Sequence, residues 1–115
     1  RFDSANVELQ QMREAGTIKA KGKLIESPPA PNEINFASEH VLQRWAERGM
    51  GPMDAERIIR SSKVAMSQRN GTQTCYYSEY GFVAIGQNGN VSSIGPLDEG
   101  GQKLMEVVKK HGIPH

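Results

Sequence analysis

Four short runs rich in strand-forming residues, divided by turn signals, constrain this chain more than any other feature. "KVAMSQ", "TQTCYYS", "FVAIGQ" and "NVSSIG" follow one another between residues 63 and 95. Their separators, "RNG", "EYG" and "QNGN", each carry a glycine suited to a tight reversal, and Asn88-Gly89 is the strongest hairpin signal of all. Strands joined by connections this short pair with their sequence neighbours in the antiparallel sense, because a parallel pair needs a long crossover. The segment therefore predicts a four-stranded antiparallel meander, which Pro96 ends.

The turns also suggest a register. With Asn88-Gly89 as a two-residue loop, Ile85 faces Ser92, Ala84 faces Ser93 and Val83 faces Ile94. With Glu79-Tyr80-Gly81 as a three-residue loop and Gly81 left-handed, Tyr77 faces Val83 and Cys75 faces Ile85. Alternate residues share a face, so Val83, Ile85, Ile94, Cys75 and Tyr77 form the core side. Thr72, Thr74, Tyr76, Phe82, Ala84 and Ser93 fall on the other side, which carries hydroxyls and aromatics. A slip of one residue would exchange these sets.

Helical patterns flank the strands. Phe2, Ala5, Leu9 and Met12 recur at helical spacing, and Gly16 is a stop signal. "TIKAKGKLIES" is basic, and "SPPAPNE" places three prolines where neither a helix nor a central strand can continue. Residues 1–32 thus read as a helical N-terminal arm with a Pro-rich linker, and residues 33–115 as the main domain. Within that domain, Ser38 is a good N-cap for a helix from Glu39 to Arg48, and Gly49 suits its C-terminal stop. "GPMDAERIIRSS" is a second helix with Pro52 in its first turn, and "DEGGQKLMEVVKKHG" is a closing helix. The fold class expected is α+β: N-terminal helices packed on a four-stranded antiparallel sheet, with a closing C-terminal helix.

At 115 residues, the chain is long enough for one domain with a modest core. A net charge of +1 supplies no global field for a polyanion, so any phosphate-binding residues must be concentrated locally. The single cysteine, Cys75, allows neither an internal disulfide nor a thiolate metal cluster. "GQNGN" sits in a hairpin rather than between a strand and a helix, no paired-His motif occurs, and "DEGG" opens a helix rather than a calcium loop. No metal or other cofactor is therefore expected. No apolar run approaches the roughly 18 residues of a membrane-spanning helix. A chain that opens at Arg1 is expected to be part of something longer.

The chemistry-bearing feature is "EINFASEHVLQRWAERGMGP", in which His40, Arg44 and Arg48 stand four apart along one helix ridge. Cleavage of RNA by its own 2′-hydroxyl needs a proton carrier, which histidine supplies near neutral pH. It also needs donors for charge growing on phosphate oxygens, and the guanidinium fork suits that task. Hydroxyls of Thr74, Tyr76 and Ser93 could orient phosphate or sugar, and Tyr76 or Phe82 could stack an unpaired base. His40, Arg44, Thr74, Tyr76 and Ser93 are the candidate catalytic residues. Arg48, Phe82, Lys21 and Lys23 are the candidate RNA contacts. His111 and His115 read as cap and tail residues.

The combination of "SEHVLQRWAERGM", a second short helix, "TCYYS" and "GFVAIGQNGNVSSIG" resembles small toxin domains of the barnase/EndoU/colicin/RelE-like superfamily. More narrowly, it is similar to the C-terminal toxin domains of contact-dependent growth inhibition proteins and other polymorphic toxins. The resemblance covers residues 36–95, about half of the chain. It implies a metal-independent ribonuclease that commonly acts on tRNA and is held inactive by a cognate immunity protein. Some such domains require elongation factor Tu. It also implies release from a large secreted or surface-delivered protein, with action in the target-cell cytoplasm. On this resemblance the helix histidine is His40 and the final-strand hydroxyl is Ser93. The sheet lacks the usual second His or strand Lys/Arg, since Arg69 falls in a turn, so the general acid stays open between Tyr76, Arg44 and another residue. The alternative is a non-enzymatic protein- or RNA-binding module, of antitoxin or adaptor type. A DNase is a weaker rival, because clustered Asp, Glu and His are lacking.

Overall fold

A computed structural model describes residues 2–25, 34–35, 39–62 and 64–113, with only the backbone of Val41. The Pro-rich stretch and the expected cap Ser38 lie outside the described residues. The elements run α1 (Phe2–Glu14), β1 (Lys23–Ile25), α2 (Glu39–Glu47), α3 (Pro52–Ser61), β2 (Val64–Gln68), β3 (Gln73–Ser78), β4 (Gly81–Gly86), β5 (Val91–Gly95) and α4 (Glu99–Lys110). A 3₁₀ turn, Arg69–Gly71, joins β2 to β3.

Local chemistry fixes the helix ends. Pro52 occupies the first turn of α3, where its missing N–H costs nothing. The Gly51 N–H donates to Asp54 Oδ2 at 2.7 Å, tying the preceding turn to that helix. At α4, Asp98 Oδ1 accepts from the Gly101 N–H at 2.7 Å, and Lys109 and Lys110 lie at the negative end of the helix dipole. Gly16 and Gly49 follow α1 and α2 with φ of 75° and 74°, the left-handed stop that glycine adopts readily.

The class is α+β as expected, but the sheet has five antiparallel strands rather than four, in the order β1-β2-β3-β4-β5. The added strand, β1, comes from the segment assigned to the N-terminal arm. Its Leu24 pairs with Met66, and its side chain is buried. Helix α1 is integrated as well. Ala5 and Leu9 enter one hydrophobic cluster with Leu24, Met66, Tyr77, Leu104 and Val108. Residues 2–25 are therefore part of the core that α4 covers, not an appendage to it.

The opposite face of the sheet carries a second cluster, in which Trp45, Ala55 and Ile58 of α2 and α3 meet Ala65, Tyr76, Val83, Ile85 and Ile94. Helices thus cover both faces, and the inner strands β2, β3 and β4 carry apolar residues on both sides.

The register departs from expectation at two places. Ser78 pairs with Gly81, so Glu79-Tyr80 is a two-residue turn, and Tyr77 faces Phe82 while Cys75 faces Ala84. This one-residue slip moves Cys75 and Tyr77 to the α1–α4 face and Tyr76 to the α2–α3 face. The physical reason lies at Gly81. Its φ of 142° is not the left-handed turn conformation, and a Cβ there would run into the Gly95 carbonyl oxygen. The glycine serves close strand approach rather than a third loop position. Between β4 and β5, Val83–Ile94 and Ala84–Ser93 pair as expected, but Ile85 pairs with Val91 across a bulge.

Both outer edges of the sheet are bonded by side chains or loops. On β1, Asn6 Nδ2 donates to the Leu24 carbonyl at 3.1 Å, and its Oδ1 accepts from the Leu24 N–H at 2.7 Å. On β5, Arg48 Nη1 donates to the Ile94 carbonyl at 2.8 Å, and the Val91 N–H donates to the Asn35 carbonyl at 3.1 Å.

Candidate nucleic-acid interface

The α2 ridge meets the sheet at the edge strand β5. Trp45 anchors the helix by entering the cluster on the α2–α3 face, which leaves the flanking Arg44 and Arg48 on the exposed side. Arg48 is held by its bond to Ile94. Arg44 makes no hydrogen bond or ion pair among the described residues. With Trp45, Ser92 and Ser93 these arginines line a hollow of about 130 Å³, to which no carboxylate among the described residues contributes. Unshielded guanidiniums beside hydroxyls in a site of this kind suit a phosphate.

The bulge explains why two consecutive serines reach this region. It sets Ser92 and Ser93 against a single pairing position on β4, and the Ser92 hydroxyl donates to Gln73 Oε1 at 3.1 Å. Ser93 also lines a larger cleft of about 810 Å³ on the α1–α4 face, together with Gln73, Cys75, Tyr77 and Phe82. Ala15–Ala20 form one wall of that cleft, and Asp98–Gly101 with Lys103 form another. Its volume is within the usual range for small-ligand sites of about 300–1,000 Å³. The larger hollow is thus not where His40 stands; the two hollows meet at Ser93.

The sequence-predicted residues are divided by this geometry. Arg44, Arg48 and Ser93 come together, and Phe82 joins Ser93 through the larger cleft. His40 is exposed on α2, one turn before Arg44, and does not line either hollow. Thr74 and Tyr76 are not brought to Ser93. Thr74 pairs with Ile85, and Tyr76 pairs with Val83, on the face beneath α2 and α3. Tyr76 is buried there, and burial raises its phenol above the usual range, so it holds its proton. Lys21 and Lys23 are exposed at the β1 end, four strand spacings or about 19 Å from β5. They do not share the arginine hollow.

Buried groups in the large cleft are neutral. Burial pushes the Cys75 thiol up to about 11, and burial raises the Tyr77 phenol still further, with Cys75 adding to the effect. His111 stands outside this region; its Nε2 lies 3.0 Å from Glu8 Oε1 and helps fasten α4 to α1. His115 lies outside the described residues. Among the described residues no group of three or more His, Cys, Asp or Glu converges as a metal site, and no helix is long and apolar enough to cross a membrane.

Ser92 and Gln73 are contributors that sequence reasoning did not select. A bulge is what turns Ser92 toward Gln73, and nothing in "GNVSSIG" distinguishes a bulged strand from a regular one. Comparison of the chain with family models, with curated proteins and with solved structures finds no match.

Proposed function

We propose that this protein is a toxin endoribonuclease, with tRNA as its substrate, that cleaves by attack of a ribose 2′-hydroxyl. The observation that carries the reading is the hollow in which Arg44 and Arg48 overlook the Ser92–Ser93 bulge with no carboxylate among the described lining residues. A phosphodiester there would meet guanidinium donors from one side and serine hydroxyls from the other. In the reaction, the 2′-oxygen bonds to phosphorus as the bond to the 5′-oxygen breaks. Negative charge grows on the two non-bridging oxygens, which Arg44 stabilises. His40, one helical turn away, accepts the 2′-hydroxyl proton, and water returns a proton to the departing 5′-oxygen. Arg48 positions the strand edge and the phosphate, since part of its hydrogen-bonding capacity is committed to Ile94. Ser93 orients the sugar, and Phe82 offers a stacking face. Thr74 and Tyr76 take no part.

The same reading includes a cognate immunity protein that covers the arginine ridge, elongation factor Tu as an optional activator, and delivery as part of a larger secreted or surface-displayed protein. A second reading is a binding module without chemistry. It is favoured by one observation: His40 faces solvent and does not line the hollow that holds the arginines. Purified protein incubated with total tRNA separates the two readings. Wild type is expected to yield discrete fragments ending in cyclic phosphate, and His40→Ala to lose at least 100-fold in rate, the usual contribution of a proton-transfer group. Intact tRNA with wild type, with and without elongation factor Tu, would refute the nuclease reading. Retained binding in that case would favour the binding module.

A further inference from the structure

We infer that the RNA site continues past the Ser92–Ser93 bulge to Arg69, so that a single strand is held by phosphates at two arginine stations with a base seated between them in the Phe82 cleft. This extends the nuclease reading above and rests on it.

Three hollows meet around the bulge. The arginine hollow and the large cleft share Ser93. A third hollow, of about 400 Å³ at the turn end of the sheet, shares Ser92 with the first and Gln73 with the second. Arg69 lines this third hollow, and no carboxylate among the described residues does. Gln73 forms a fixed partition between them: its Nε2 donates to Gln68 Oε1 at 2.7 Å while its Oε1 accepts from Ser92.

Charge sorts the strand's parts among these spaces. Among the described residues, acids line only the large cleft, where Asp98 and Glu99 at the α4 end are balanced by Lys19 and Lys103. A phosphate there would gain no net attraction, whereas a neutral base beside Phe82 and Tyr77 needs none. The two smaller hollows each combine arginine with hydroxyl or amide groups and lack an acid, which suits the phosphates on either side of that base.

The backbone at Arg69 gives an independent reason. Arg69 and Asn70 have φ of 50° and 57°, two successive left-handed residues of the kind that Gly, Asn and Asp occupy most readily. Asn70 fits this turn, but arginine at the first position is held against its conformational preference. The turn is fastened by Thr72, whose N–H and hydroxyl both donate to the Arg69 carbonyl, at 3.2 and 2.7 Å. The guanidinium has no partner among the described residues. A strained site that displays an uncommitted cation at a groove is explained if the cation has an anionic ligand.

The test uses fluorescein-labelled 2′-O-methyl octauridylate, which keeps the phosphates and removes the nucleophile, with anisotropy followed at several salt concentrations. Wild type, Arg69→Asn, Arg44→Gln and Phe82→Leu are compared, with a thermal melt of each. Losing one phosphate contact lowers the slope of log affinity against log salt by about 0.7 for a single strand, or about five-fold in affinity at 0.1 M. Arg69→Asn is expected to show that loss with a melting temperature equal to or above wild type. Phe82→Leu is expected to weaken binding with no change in slope. Wild-type slope and affinity in Arg69→Asn, with Arg44→Gln weakened, would overturn the extension and leave the nuclease site standing. Undiminished binding by Phe82→Leu would unseat the base. If wild type does not bind, or all variants bind equally, the underlying site itself is wrong.

Discussion

Replacing Leu9 with alanine tests whether residues 2–25 belong to the folding unit. Leu9 is fully buried on α1, one turn after the equally buried Ala5, in the cluster that contains Leu24, Leu104 and Val108. Truncation removes the transfer energy of the side chain and leaves a cavity that helix, strand and facing helix cannot all collapse to fill. Leucine-to-alanine changes of this kind cost about 2–5 kcal/mol. A domain of this size has about 5–15 kcal/mol in total, so the loss is a large share of it. With about 2.1 cal/mol/K of unfolding entropy per residue, each kcal/mol lowers the midpoint by about 4 °C, and a loss of 3 kcal/mol lowers it by about 12 °C. Thermal unfolding followed by circular dichroism reads that midpoint, and urea unfolding reads the free-energy loss itself. Val7→Ala on the same helix is the control, because Val7 is 59% exposed and its loss should stay within about 0.5 kcal/mol. If Leu9→Ala unfolds with the wild-type midpoint, α1 is dispensable and the first 25 residues are an arm after all.

Two further outcomes follow from titratable groups. The hydrogen bond from His111, and then that from Lys110, hold the Glu8 carboxyl below its ordinary value of 4.5. A folded-state value that is lowered contributes stability above the ordinary value, and this contribution is lost as pH falls through the folded one. The stability gap between wild type and Glu8→Gln should therefore shrink on acidification below pH 4.5, and a gap that stays constant there refutes the clasp. Cys75, with its thiol pushed up to about 11, should resist Ellman's reagent at pH 8 in the folded state and react once urea unfolds the chain. Reaction of the folded protein at the rate of a free thiol would show that Cys75 is not buried beneath the floor of the large cleft.

Much of the fold was legible because turn chemistry and helix punctuation are local. The four strands of residues 64–95 and the stops at Gly16 and Gly49 depend on neighbours in sequence. Strand β1 was not legible, because three residues in a lysine-rich segment carry no period and their pairing partner lies 42 positions away at Met66. Face assignment failed for a different reason. With helices on both sides, Cys75, Tyr76 and Tyr77 are all buried, so alternation gave no signal and the register hung on one turn length. Of the candidate site, the Arg44–Arg48 ridge could be read from helical spacing and Ser93 from the hairpin. The separation of Thr74 and Tyr76 from them could not, since it follows from the Gly81 slip. Arg69 was set aside as a turn residue, and only the left-handed backbone revealed how unusual that placement is.

The sheet's outer strands have a consequence for how this chain behaves in a crowd. Asn6 presents to Leu24 the donor and acceptor that a sixth strand would offer, and Arg48 and Asn35 occupy acceptor and donor groups along β5. These bonded groups, among the described residues, disfavour pairing with another copy at either margin. Removing the Asn6 amide would unplug one margin without touching the arginine ridge. Arg48 closes the other margin and belongs to that ridge, so a change there would reach both features at once.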